Sequence, residues 1–192
     1  MTAIPGYTYD EMLAPSPVSI EDLELLKASL LWTDDDNAAL LKAGQVLEDQ
    51  IEDILDVWYG YVGANAHLVK SFSGADGNPS GEYLAAVRLR FGQWIRDTCT
   101  RDFDEEWLAY QNEVAHRHLT KLAKTDGIET TETHIPLRYL ISFIFPITAT
   151  MRPFLAAKGA SESEVDAMHA AWFKAVTLTV SLWSQPYNTG AW

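Results

Sequence analysis

The sequence is poor in cysteine and in basic residues, and both shortages exclude classes of protein. Its 192 residues include one cysteine, Cys99, and five histidines, so an internal disulfide and a zinc or iron–sulfur site held by several cysteines are both excluded. A lone cysteine is typical of a reducing compartment. The 14 Lys and Arg against 27 Asp and Glu give a net charge of −13, which disfavours binding to nucleic acid and to anionic membranes.

The chain also lacks the segments that direct a protein into or across a membrane. Residues 1–13 have neither the basic region nor the apolar run of a signal peptide. The most apolar stretch, residues 139–155, contains Arg152 and two prolines and is shorter than the roughly 20 residues that span a bilayer. Glycine-rich phosphate loops and nucleophile elbows are not found in the sequence. We therefore expect a cytoplasmic protein that does not enter a membrane.

Apolar residues recur at spacings of three and four, which is typical of helices, and strand-like alternation is not found. Ser19, Thr33 and Ser161 are each followed by acidic residues, a pattern that predicts helix N-termini. The unequal helices and uneven connections favour an all-α, globin-like stack over a symmetric bundle. The predicted helical segments are 20–30, 34–63, 65–72, 80–98, 102–124, 135–158 with a kink at Pro146, and 161–184.

A single globular domain is predicted, because the length suits one domain and no change in composition divides the chain. Residues 1–18, in which Pro, Gly and Tyr are frequent, are expected to form an irregular N-terminal extension. Residues 19–192 are expected to form the domain itself.

The first candidates for a functional role are two histidines that lie close together in the sequence, His116 and His118. The apolar side of their predicted helix passes through Trp107, Gln111 and Val114. At about 100° per residue, His118 lies about 40° from Val114, whereas His116 lies near the opposite face. An inward histidine needs a partner, because an unpaired polar group in the interior costs free energy. A backbone carbonyl, a carboxylate and a metal, including a haem iron, all remain open as that partner.

A second candidate is the aromatic segment 57–61. Helical phase places Trp58 on the core side and Tyr59 one step round from it. Ordinary core packing with a tyrosine hydroxyl at the boundary is one interpretation, and an apolar cavity wall with one hydroxyl donor is the other. Phe91 and Phe143 lie in the middle of apolar helix faces, and the pattern alone predicts that both belong to the core.

A series of short segments along the chain carries a more specific signal. They are IPGYTY at 4–9, VLEDQ at 46–50, ILD at 54–56, WYG at 58–60, YLA at 83–85, RF at 90–91, WI at 94–95, YQ at 110–111, RH at 117–118, RYL at 138–140, PITATM at 146–151, PFL at 153–155 and AWFK at 171–174. In this order they resemble the protoglobins, the single-domain relatives of the globin-coupled sensors. One such segment would be weak support, but the ordered series covers nearly the whole chain and is specific.

The resemblance implies a three-over-three globin sandwich with an N-terminal extension and a pre-A helix. It implies haem b in a deeply buried apolar pocket, with His118 as the proximal ligand of the iron. Tyr59 is then expected to donate a hydrogen bond to a bound gas, beside Trp58, and Arg90 to pair with a haem propionate. The other pocket residues that it implies are Tyr83, Phe91, Phe143 and Ile147. Family members form homodimers through their last two long helices, and the same is predicted here.

The function expected from this resemblance is binding of the diatomic gases O2, CO or NO at an iron held by His118. Three alternatives remain open. The same iron could catalyse peroxidase, nitric-oxide or carbene-transfer chemistry, with Tyr59 and Trp58 as catalytic residues, and a pocket engineered for carbenes would look much like this sequence. The others are a haem-free helical interaction module and a gas sensor that acts through a separate partner.

Overall fold

The computed structural model of the chain describes residues 4–9, 13–120, 123–188 and 190. About 71% of this part is helical, and it contains no β-strand, which confirms the predicted all-α, globin-like fold. The α-helices of the described residues are α1 (Ile20–Ser29), α2 (Asp34–Leu47), α3 (Ile51–Gly63), α4 (Ala66–Val69), α5 (Gly81–Thr100), α6 (Glu105–Leu119), α7 (Leu137–Ala149), α8 (Arg152–Ala156) and α9 (Glu162–Trp183).

The last helix, α9, lies at the centre of the packing. It contacts α2, α6, α7 and α8, and α2 packs in turn against α5. Ile54 and Leu55 on α3 are completely buried in the main core, where each contributes roughly 1.5–3 kcal/mol relative to an exposed side chain. Gly44 allows α2 and α5 to approach closely, since a Cβ there would lie 2.9 Å from the Cβ of Cys99.

The predicted helix starts are confirmed at three positions. Ser19, Thr33 and Ser161 each form a capping box, in which the acidic residue three positions later bonds back to the backbone of the cap. These bonds satisfy amide groups that have no partner within the helix. The starts of α1, α2 and α9 are therefore determined by their local sequence.

The segment 34–63, predicted as one helix, is two helices joined by a single 3₁₀ turn over Glu48–Gln50. The side-chain amide of Gln50 donates to the carbonyl of Val46 at 2.8 Å and to the carbonyl of Phe154 at 3.1 Å. A polar side chain thus satisfies a carbonyl that the continuous helix would have used. The apolar periodicity passes through this break and did not reveal it.

Two further predicted helices are shorter than expected. Helix α6 ends at Leu119 rather than at 124, and the carbonyl of His118 accepts a bond from the distant amide of Ile135 at 2.7 Å. The segment 135–158, predicted as one helix kinked at Pro146, is two helices that are separated after Ala149, three residues beyond the proline. His169 and Trp172 of α9 bond to backbone carbonyls near this break, at 2.9 Å and 3.1 Å, so the break is satisfied by α9.

The stretch 137–156 is long and apolar enough to cross a membrane by length and composition alone. In the fold, 33% of its most apolar window is buried. The core helix of a protein outside the membrane passes the same test. One such stretch is therefore weak support for a membrane location.

Candidate functional site

The described helices enclose a large cavity of about 240 Å³, bounded mainly by α3, α5, α6, α7 and α9. Its lining is mostly aromatic and aliphatic, as in many cofactor sites. All eight residues that the resemblance assigned to the pocket contribute to this lining: Trp58, Tyr59, Tyr83, Arg90, Phe91, His118, Phe143 and Ile147. The fold therefore brings the set together, while the role of each residue stays a prediction.

His118 lies in the last turn of α6 and borders the cavity. Desolvation by burial lowers the pKa of its imidazole to about 4, with the carbonyl of Val114 opposing the shift and the charge of Arg117 adding to it. The ring is therefore neutral at pH 7 and able to donate a lone pair to a metal. Its Nδ1 atom is enclosed and has no hydrogen-bond partner of good geometry among the described residues.

Tyr59 is a second residue with an unpartnered polar atom. Its hydroxyl is enclosed in the cavity wall and has no hydrogen-bond partner among the described residues. Burial raises the pKa of this hydroxyl well above its usual value of 10, so it keeps its proton and can only act as a neutral donor or acceptor. A buried hydroxyl without a partner costs free energy and therefore calls for an explanation.

Trp58 serves the cavity through its ring rather than through its N–H group. The indole Nε1 donates to the hydroxyl of Thr150 at 2.9 Å, so this donor is already occupied. The ring packs against Phe91 with a centroid separation of 4.9 Å and against Trp172 at 6.3 Å. Trp58 is thus a buried apolar wall, and the enclosed donor without a partner on this helix is Tyr59.

Charged groups are concentrated at one edge of the cavity. Arg90 forms a two-pronged ion pair with Asp126, at 2.8 Å and 2.7 Å, and both side chains are largely buried. Arg117 pairs with Glu113 at 3.1 Å. A carboxylate of a bound cofactor would meet two arginines here, but it would compete with Asp126 for Arg90. Tyr83, which is buried, completes this edge beside Arg90 and Asp126.

Residues 4–9 of the N-terminal extension lie across the same edge. The carbonyl of Pro5 accepts from Arg90 at 3.2 Å, and the carbonyl of Gly6 accepts from Arg117. The hydroxyls of Tyr7 and Tyr9 both donate to the carboxylate of Asp97 on α5, at 2.9 Å and 2.7 Å. Tyr7 also lines the cavity, so residues 4–9 close one edge of the site.

Sequence reasoning missed two residues that contact His118. Trp183 packs on the imidazole, and Tyr187 bonds to the backbone carbonyl of His118. The apolar spacing of α9 includes Trp183, so a helical projection indicates its inward direction but not its contact. Tyr187 lies in a 3₁₀ turn after the helix, where no periodic signal exists.

The described residues contain no group of three or more His, Cys, Asp or Glu side chains that could hold a metal ion. Comparison with curated proteins found no match. The model of the family Protoglobin matches residues 20–191, which is all but the first 19 residues and the last one. The chain therefore belongs to the protoglobin family, whose members are haem-binding globins.

Proposed function

We propose that the protein binds haem b in this cavity, with Nε2 of His118 as the iron ligand, and that it binds O2, CO or NO. The observation that carries the proposal is a neutral histidine that lines a large, mostly apolar cavity. When bound, the haem supplies an iron with an open coordination position for a diatomic gas.

The residues present fit a haem in three respects. A neutral imidazole is the state that ligates iron, and His118 is neutral at pH 7. The apolar wall formed by Trp58, Phe91 and Phe143 suits the macrocycle and excludes water. The two arginines at the edge suit the propionates, with Arg90 as the partner that Asp126 must release.

Tyr59 is the proposed donor to a bound gas. Its hydroxyl keeps its proton and has no competing acceptor among the described residues. Trp58 cannot take this role in its present position, since its N–H is bonded to Thr150. Phe143 and Ile147, which also line the pocket, would restrict the size of the gas ligand rather than form hydrogen bonds to it.

Absorption spectra of the oxidised, reduced and reduced-plus-CO protein test the proposal. The His118→Ala variant should lose haem or show a strongly shifted Soret band. His116→Ala is the matched control, because His116 lies on the same helix and does not line the cavity, and its spectra should equal those of the wild type. A wild-type ferrous spectrum in His118→Ala would refute the assignment.

We further propose a homodimer through α7 and α9. Ile141 and Phe145 on α7 and Phe173 on α9 have about half or more of their surface exposed. Residues 139–151 contain no charged side chain. Exposed apolar side chains on adjacent packed helices are typical of an interface, and a second copy would cover the part of 137–156 that the fold leaves open.

A further inference from the structure

We propose that Tyr187 and Trp183 are positioning residues for His118, which they hold from the C-terminal end of α9 and the turn after it. The inference rests on the proposed function, because His118 matters in this way only if it ligates the haem iron. His118 as the iron ligand would still leave open which residues orient its ring.

The hydrogen bond that normally orients a metal-bound histidine is poorly formed at His118. The nitrogen opposite the metal usually donates to a carboxylate, a carbonyl or water. Nδ1 of His118 is enclosed and has no such partner among the described residues, and the carbonyl of Val114 contributes only a partial compensation. The orientation of the ring must therefore come from packing and from the backbone.

Trp183 supplies the packing contact. The centroids of its ring and of the His118 ring are 4.7 Å apart, with the planes inclined by 37°. The indole Nε1 donates to the side-chain oxygen of the buried Gln111 at 3.0 Å. Gln111 lies seven residues before His118 on the same face of α6. Trp183 therefore contacts this helix at two points, by a hydrogen bond to Gln111 and by ring packing on His118.

Tyr187 supplies the backbone contact. The carbonyl of His118 is one of the last carbonyls of α6, which have no partner within the helix. It accepts from the amide of Ile135 at 2.7 Å and from the Tyr187 hydroxyl at 3.2 Å, and the same hydroxyl donates to the carbonyl of Ile135 at 2.6 Å. Because the hydroxyl has one proton, its shorter bond, to the carbonyl of Ile135, is the stronger of the two. Tyr187 therefore restrains His118 mainly by fixing Ile135, whose amide bonds to the carbonyl of His118.

These contacts make the residues at 183–187 part of the mechanical support of the ligand. A displacement of Tyr187 removes its hydroxyl from both carbonyls, and the bond from the amide of Ile135 to the carbonyl of His118 is then left without this support at the end of α6. Since the carbonyl of Val114 is only a weak restraint on the ring, the imidazole gains freedom to rotate and to move along the helix axis.

The experiment compares Tyr187→Phe with Tyr9→Phe in the haem-loaded protein. Each variant loses a tyrosine hydroxyl, but the Tyr9 hydroxyl bonds to Asp97 and lies outside the cavity lining, so Tyr9→Phe is the control for the band and for hydrogen exchange. Haem transfer from Tyr187→Phe is compared with the wild type, because Tyr9 belongs to the segment that closes the site. The readouts are the iron–histidine stretching band of the ferrous protein in resonance Raman spectra and the rate of haem transfer to an excess of an acceptor apoglobin. Hydrogen exchange at the amide of Ile135 is measured in the haem-free protein.

Tyr187→Phe is expected to shift or broaden the band, to release haem about tenfold faster, and to lose exchange protection at Ile135, whereas Tyr9→Phe leaves the band unchanged. Trp183→Phe keeps a ring against His118 and loses only the bond to Gln111, so it should broaden the band while leaving Ile135 protected. It replaces Tyr187→Phe as the test if that variant does not fold.

His118→Ala separates the two proposals. If His118→Ala loses the band while Tyr187→Phe and Trp183→Phe both keep the wild-type band, the positioning role is wrong and the haem ligand stands. If His118→Ala retains the band, the ligand assignment is wrong and the positioning role falls with it.

Discussion

Replacement of Tyr59 by phenylalanine is expected to stabilise the haem-free protein, although it removes a polar group from the candidate site. The hydroxyl of Tyr59 is enclosed and has no hydrogen-bond partner among the described residues. Phenylalanine preserves the ring contacts, which include Phe72 at a centroid separation of 6.3 Å and the guanidinium of Arg88 at 5.6 Å. Only the unpaired hydroxyl is lost.

The magnitude follows from the cost of that hydroxyl. A buried polar group without a partner costs about 1–3 kcal/mol, and its removal from an unchanged ring recovers this amount in part. We therefore expect the free energy of unfolding of Tyr59→Phe to rise by about 1–2 kcal/mol. For a chain of this length, this corresponds to a midpoint temperature higher by about 2–8 °C. In the haem-loaded protein the same change should accelerate O2 dissociation, because the proposed donor is gone.

The assay is urea denaturation of the haem-free protein followed by circular dichroism. Tyr9→Phe is the matched control with the opposite sign: it removes a 2.7 Å bond to the carboxylate of Asp97 and should lower the free energy of unfolding by about 1–2 kcal/mol. Equal slopes against urea are required, so that the midpoints report stability. A Tyr59→Phe variant that is destabilised like Tyr9→Phe would mean that the hydroxyl has a partner, and would refute the reasoning.

Three further predictions concern acid stability, assembly and the N-terminal extension. Burial lowers the pKa of His118 from its ordinary value of 6.5 to about 4, so the unfolded chain takes up a proton before the folded one does. The neutral imidazole therefore stabilises the fold fully above pH 6.5, and about 3 kcal/mol of the free energy of unfolding is lost as the pH falls towards 4. In urea titrations of the haem-free protein, His118→Gln, which does not titrate, should lose correspondingly less free energy of unfolding over this pH range. Phe145→Asp should convert a dimer into monomers in sedimentation velocity, whereas Leu25→Asp, at a position on α1 that is also largely exposed, should not. Gly6→Ala should lower the free energy of unfolding more than Gly77→Ala, because both have φ near +75° but only Gly6 has neighbours at 3.0–3.1 Å from the new Cβ.

Each of these predictions has an outcome that contradicts it. Parallel stability profiles of the wild type and His118→Gln between pH 7 and 4 would show that His118 does not titrate as described. A monomeric wild type, or equal effects of the two aspartate substitutions, would argue against an interface at Phe145. Equal losses in the two alanine variants would mean that the residues around Gly6 move aside at no cost.

The sequence predicted the fold class and most helices because each is written in local signals. The capping boxes at Ser19, Thr33 and Ser161 determine helix starts within four residues. The breaks at Gln50 and after Ala149 were not predicted, because each depends on a bond from a residue to a distant carbonyl, such as that of Phe154. Interactions across more than 20 residues leave no mark on helical periodicity.

The sequence predicted which residues line the candidate site, but not the hydrogen bonds and ion pairs between them. Helical phase alone indicated that His118 points inward, and the resemblance supplied the other pocket residues, which line one cavity. The pairing of Arg90 with Asp126, the bond from Trp58 to Thr150 and the contact of Tyr187 depend on tertiary geometry. The division of the chain at residue 18, its cytoplasmic location and the role of each pocket residue stay predictions.

The contacts of residues 4–9 have a kinetic consequence. They consist of hydrogen bonds from Arg90, Arg117, Tyr7 and Tyr9 across one edge of the cavity and of ring contacts of both tyrosines with Tyr110. Local opening of this kind needs far less free energy than global unfolding. Detachment of residues 4–9 would open this edge of the cavity, so weakening their contacts is expected to shorten the residence time of whatever fills it without altering the groups inside.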